Sequence, residues 1–162
     1  MDINQLRKKI LDEAKDYVSI NGWRDDMLIN FAKSSNFKYE EIITLFPNGY
    51  KSLIQIALNE INKEMTKQSK KLNLIQLKTH ERIKELIILR LKIMYKEKKF
   101  ISKTFLHLML PQNYSLASNN LYKTVDQIWF LAGDNSTDFN FYTKRGILSS
   151  IYTFTLMHFI NN

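Results

Sequence analysis

His80, His107 and His158 are the first side chains to test for chemistry, because paired imidazoles on one helix face make the simplest metal or acid–base device. None of the three stands in a Glu-x-x-His or His-x-x-x-His spacing, so none meets a ligand partner on its own helix. The chain has no cysteine, which excludes a thiolate metal site, a cysteine nucleophile and a disulfide framework together. Asp134 and Asp138 lie four apart, but they stand at the start of an apolar helix, where capping open amides is their expected work. No glycine-rich phosphate loop and no nucleophile elbow is present. The side chains therefore predict a protein that is not an enzyme and that carries no metal or cofactor.

Charge and apolar surface remain. The 162 residues hold 24 Lys and Arg against 16 Asp and Glu, a formal net charge of +8. That excess lies entirely between Lys63 and Lys103; the segments on either side are close to neutral. Such a stretch reads as a solvated helical face, or as attraction to an acidic partner or an anionic lipid surface. At 44% hydrophobic and 12% aromatic, the chain has ample apolar surface for a core, which excludes disorder. No run reaches the ~20 apolar residues a membrane span needs, and Asp2 and Asp12 interrupt any leader pattern. A soluble protein of a cytoplasm or another reducing compartment is expected.

Four glycines and two prolines leave few places to break helices, and apolar residues recur at three-and-four spacing almost throughout. Ile3 to Val18 form one stripe, stopped at Asn21-Gly22. A short helix follows from Met27 to Ala32, capped by Asp25 or Asp26, and another runs from Tyr39 to Phe46. Tyr50 opens a long fourth helix that enters the lysine-rich stretch. The fifth carries Ile83, Leu86, Ile87, Arg90, Leu91 and Met94. A sixth, with Phe105 and Leu106, ends at Leu110-Pro111 because the residue before proline disfavours helix. The seventh spans about 116–131 and ends at Gly133; the eighth begins within Asn135-Ser136-Thr137-Asp138 and runs to the last residues.

Three short helices ahead of a longer helical bundle resemble the plan of TetR-type proteins. The all-α fold expected is a helix-turn-helix-like head, 1–47, followed by a ligand-binding and dimerising body, 48–162. The run from Tyr39 to Leu53 is similar to the junction at which a recognition helix ends in that superfamily. A DNA-binding head needs Lys and Arg against phosphates. This one is slightly acidic, with Glu40 and Glu41 on the would-be recognition helix, so DNA is not expected as a partner. A TetR-type transcriptional regulator with a hydrophobic effector is the alternative reading.

The last third is more specific. Leu108-Met-Leu-Pro-Gln-Asn113, Val125-Asp-Gln-Ile-Trp129 and above all Ala132-Gly-Asp-Asn-Ser-Thr-Asp-Phe-Asn-Phe-Tyr-Thr-Lys-Arg145 resemble the Coq-nine family of ubiquinone biosynthesis accessory proteins. Gly22-Trp23 and Phe46-Pro47 fit the same family. The resemblance implies a TetR-like, dimeric, non-catalytic protein that binds isoprenoid quinones or phospholipid. It also implies that lipid intermediates are presented to the di-iron demethoxyubiquinone hydroxylase. Its place would be the mitochondrial matrix, or a bacterial cytoplasm, peripheral to the inner membrane. Phe141 stands where the family usually has Trp. The family's C-terminal helices, one of them amphipathic and membrane-binding, would lie beyond Asn162, so either a truncated chain or a short member is expected.

The resemblance further implies a partner patch at the end of the seventh helix and the start of the eighth. Phe141 and Tyr142 would be its apolar anchors, with Asp126, Ile128, Asp138 and Arg145 around them. From Ile147 to Ile160 there is no Asp, Glu, Lys or Arg, and a helix apolar all round is buried on more than one side. Leu86, Ile87, Ile93, Met94, Leu106, Met109, Ile128, Ile147, Ile151 and Phe154 supply material for an apolar lipid pocket. The quinone head is expected near the Phe141/Tyr142 corner.

Overall fold

The computed structural model describes residues 1–162 as eight α-helices without a strand. They are α1 (Ile3–Asn21), α2 (Met27–Ser34), α3 (Tyr39–Leu45), α4 (Tyr50–Ser69), α5 (Thr79–Tyr95), α6 (Lys98–Leu108), α7 (Tyr114–Leu131) and α8 (Phe139–Asn161). Short 3-10 turns precede α5 and α7.

The helix ends follow local chemistry. Gly22 closes α1 at φ +74° and Gly133 follows α7 at φ +88°, backbone conformations that side-chain-bearing residues rarely adopt. The Lys38 amide donates to Glu41 Oε2 at 3.0 Å, and the Lys78 amide donates to Glu81 Oε2 at 2.8 Å, so each glutamate holds the start of its own helix. Asp138 caps α8, its Oδ1 accepting the Asn140 amide at 3.1 Å. At α2 the residue before the helix is Asp26, and its carboxylate makes no capping bond.

Two apolar clusters hold the helices together. The larger joins α1–α3 to α4–α6: Ile10, Val18, Phe31, Ile42 and Phe46 pack with Leu53 and Ala57 of α4, Met94 of α5 and Phe100 and Ile101 of α6. Lys15 of α1, nearly buried, bridges Glu60 of α4 at 3.5 Å and Glu97 at 3.2 Å. Trp23 Nε1 donates to Thr104 Oγ1 of α6 at 3.0 Å. The smaller cluster, Met65, Leu86, Val125, Ile128, Ala132 and Leu148, is the centre of the α4–α5–α7–α8 body.

The body explains the long apolar run in α8. Leu148 is buried with Val125 and Ile128 of α7 and Tyr152 is buried on Arg90 of α5, whereas Ile147, Ile151 and Phe154 are exposed by 58%, 53% and 71%. One helix thus carries two apolar faces, of which only one is covered within the chain.

Candidate functional site

A cavity of about 330 Å³ lies among α4, α5, α6, α7 and α8. Its walls are largely apolar: Leu58, Met94, Ile101, Phe105, Leu108, Leu121 and Leu156. One end is polar and closed. Arg90, Asn120, Thr124 and Tyr152 line it there, none more than 5% exposed. Met109 and Tyr114, half exposed or more, mark the open end at the α6–α7 junction. Neighbouring Leu110 is also exposed, so the mouth sits in an apolar surface.

Helical spacing delivers the polar end. Arg90 lies four residues from both Leu86 and Met94, on the inward face of α5. Thr124 lies four residues from Asn120 and Ile128 on the inward face of α7. The Arg90 guanidinium donates through Nε to the Tyr152 hydroxyl at 2.6 Å. Its terminal nitrogens donate to Asn62 Oδ1 and, at 3.3 Å, to Thr124 Oγ1. All three acceptors are neutral, and no carboxylate stands within ion-pair distance of Arg90.

The α7–α8 corner is a second constellation. Asp134 is its hub: Oδ1 accepts Lys144 Nζ at 2.9 Å and Ser136 Oγ at 2.7 Å, and Oδ2 accepts Arg145 at 3.1 Å. Burial by itself would raise the Asp134 carboxyl. The hydrogen bonds from Lys144, Ser136 and Arg145 outweigh it and hold the group well below the usual carboxylate range. Arg145 also donates to Asp126 Oδ1 at 2.8 Å and stacks its ζ-carbon 3.4 Å from the Phe141 ring centre. Above this frame Tyr142 is 69% exposed and Phe139 81%.

The structure divides the residues expected at one lipid pocket. Met94 and Met109 line the cavity. Ile87, Ile147 and Ile151 line a second apolar groove, of about 630 Å³, between α5 and α8 on the face of α8 away from the cavity. Leu86 and Ile128 are core residues of the smaller cluster, and Ile93 packs between the two clusters. Leu106 and Phe154 face outward and line neither space. Of the patch residues, Tyr142 is exposed, Phe141 is half-buried and stacked on Arg145, Asp138 is the α8 cap, and Asp126 and the buried Arg145 form the frame. Ile128 is fully buried beneath them.

Arg90, Asn120, Thr124 and Tyr152 share no motif that predicts their meeting, and Phe139 was not among the expected patch residues. The signal for the first was Arg90 itself, a charge in register with Leu86 and Met94 on an otherwise apolar stripe. The cavity mouth and the Phe141/Tyr142 corner lie at opposite ends of the 18-residue α7, roughly 25 Å apart at 1.5 Å per residue. The mouth of this cavity therefore does not open at that corner.

Residues 114–162, which hold α7 and α8, match the COQ9 family model. Over 158 residues, 93% of this chain and 49% of the relative, it is 30% identical to the ubiquinone biosynthesis protein COQ9, mitochondrial, of Bos taurus. Identity to the Homo sapiens protein of the same name is 29% over 158 residues, with the same coverage. A probable ubiquinone biosynthesis protein coq9, mitochondrial, of Dictyostelium discoideum is 31% identical over 161 residues, 92% of this chain and 50% of that one. The chain spans about half the length of these relatives.

Proposed function

Because the chain belongs to the COQ9 family, we propose that it is a lipid-binding accessory protein of ubiquinone biosynthesis that catalyses no step itself. The observation that carries this reading is the apolar cavity among α4 to α8. At about 330 Å³ it falls in the range of ligand pockets, and most of its lining is aliphatic or aromatic. An isoprenoid chain needs such walls and little else, since its burial stabilises by about 25 cal/mol per Å² removed from water.

In this reading the exposed Phe139 and Tyr142, the latter packed edge-on against Phe141 beside the Asp126–Arg145–Asp134 frame, form the surface that meets the di-iron demethoxyubiquinone hydroxylase. Aromatic side chains are good anchors because they bury a large area with few rotatable bonds. The α8 face of Ile147, Ile151 and Phe154 pairs two copies of the chain. Lysines of the segment from Lys63 to Lys103 add attraction to anionic lipid headgroups, about 1 kcal/mol for each one near the surface. No helix is long and apolar enough to cross a membrane. The relatives are named as mitochondrial, and the matrix side of the inner membrane, or the equivalent bacterial face, is the place proposed for this chain.

Native mass spectrometry of gently purified protein, with the extracted small molecules identified, tests this. The expected result is a dimer carrying isoprenoid quinone or phospholipid. Protein that is empty as purified and that takes up no quinone analogue overturns the reading.

A further inference from the structure

Arg90 is 2% exposed, yet nothing in the chain neutralises it. A guanidinium stays charged in proteins, and a buried charge without a counter-charge is strongly disfavoured. Its three acceptors, Tyr152, Asn62 and Thr124, use three of its five N–H groups. Two N–H donors are left over. The Tyr152 hydroxyl accepts from Arg90 and finds no acceptor of its own in the protein, so its O–H is a third free donor at the same place. Arg90, Tyr152 and Thr124 all line the closed end of the cavity. Against these three donors stands one unused side-chain carbonyl, Asn120 Oδ1, so that end is still short of acceptors and holds no negative charge, while the rest of the lining is mostly apolar out to Met109 and Tyr114.

We propose that the cavity takes an amphiphile head first, with an anionic head group, carboxylate or phosphate, on Arg90 and Tyr152 and its apolar tail leaving between Met109 and Tyr114. The inference rests on the reading that this cavity binds lipid, and names the class of lipid. A neutral quinone head supplies acceptors for the free donors but leaves the charge of Arg90 unbalanced. An oxyanion does both, through the charge-assisted bonds that guanidinium groups make best. Head-first entry follows because the charge is at the closed end and the apolar surface is at the mouth.

The test uses the whole chain and four probes: dodecanoate, dodecyl phosphate, dodecanol and a short-tailed ubiquinone analogue. Calorimetry is expected to show at least one anion binding about tenfold or more tighter than both neutral probes. The ratio of the two anions tells a fatty-acid-like ligand from a lipid phosphate. Arg90→Met is expected to bring all four to within about threefold of one another, and Tyr152→Phe to weaken the anions alone. Should Arg90→Met fail to fold, the probe series on the unaltered chain and on Tyr152→Phe decides the matter. A photoreactive group at the tail end of the anion is expected to label Met109 or Tyr114; labelling of Tyr152 instead overturns the orientation. Equal binding of anions and neutral probes overturns this inference and leaves the lipid-binding reading standing. Failure of all four probes to bind overturns both.

Discussion

Arg145 reaches Asp134 Oδ2 at 3.1 Å across the turn between α7 and α8, with the side chains of both residues buried to within 6%. The same guanidinium bonds Asp126 on α7 and the Phe141 carbonyl one turn back on α8. One side chain thus ties the end of α7 to the start of α8 and stacks on the Phe141 ring. Removing one member of a buried pair leaves the other charge without its partner, the costly half of the interaction. Arg145→Met is expected to destabilise the fold by about 3 kcal/mol, read as a lower denaturant midpoint with unchanged slope. A loss within 0.5 kcal/mol, about the effect of an ordinary surface substitution, means that Lys144 alone holds Asp134 and that the frame is redundant.

Asp134 also sets how the fold responds to acid. Its carboxyl is held lower in the folded chain than in the unfolded chain, so on acidification the unfolded state takes up the proton first. The stabilisation is complete above the ordinary carboxylate value of about 4 and is lost as pH falls toward the depressed folded value. Denaturation followed from pH 7 to pH 2 is expected to show stability falling below about pH 4. Asp134→Asn is expected to be less stable at pH 7 and to have a flatter acid limb. If both proteins keep the same acid limb, the pH dependence belongs to other carboxylates.

The exposed stripe of Ile147, Ile151 and Phe154 follows the four-and-three spacing of one helix face, and it adjoins the apolar groove lined by Ile83, Ile87 and Trp129. If this face pairs two copies, a charge in its centre must disrupt the pair. Ile151→Lys is expected to halve the mass measured by light scattering while leaving the helical circular dichroism unchanged. A dimer that survives that substitution places the contact elsewhere.

The order and ends of the helices were legible because they depend on neighbours in sequence. Gly22, Gly133 and Asp138 act at the positions their types suggested, and the Leu110-Pro111 break separates α6 from α7. Which apolar residues share a space was not legible. Periodicity marks a residue as apolar, but α8 is apolar on two faces, and only packing shows that Tyr152 faces the cavity while Ile151 faces the α5–α8 groove. Arg90 stood out on the α5 stripe, but its partners did not. Its burial depends on Asn62, Thr124 and Tyr152 from three other helices, and no local pattern brings those together.

Ala117 decides whether the cavity is the site at all. It lies on α7 three residues from Tyr114 and four from Leu121, so all three share the face that lines the cavity near its mouth. As the smallest apolar side chain there, it keeps the passage between the mouth and the Arg90 end wide. A phenyl ring at this position fills open space rather than packed core, so the fold should tolerate it and gain about 0.5–1 kcal/mol from the new contacts. The ligand has to give way instead. Ala117→Phe is expected to lower the lipid retained through purification at least about tenfold, equivalent to 1.4 kcal/mol of binding, with the unfolding midpoint unchanged or raised. Asn119→Ala, exposed and outside the lining, is the matched control and should retain lipid as the unaltered chain does. Full retention by Ala117→Phe moves the site to the α5–α8 groove, where Ile87→Lys becomes the substitution that empties it.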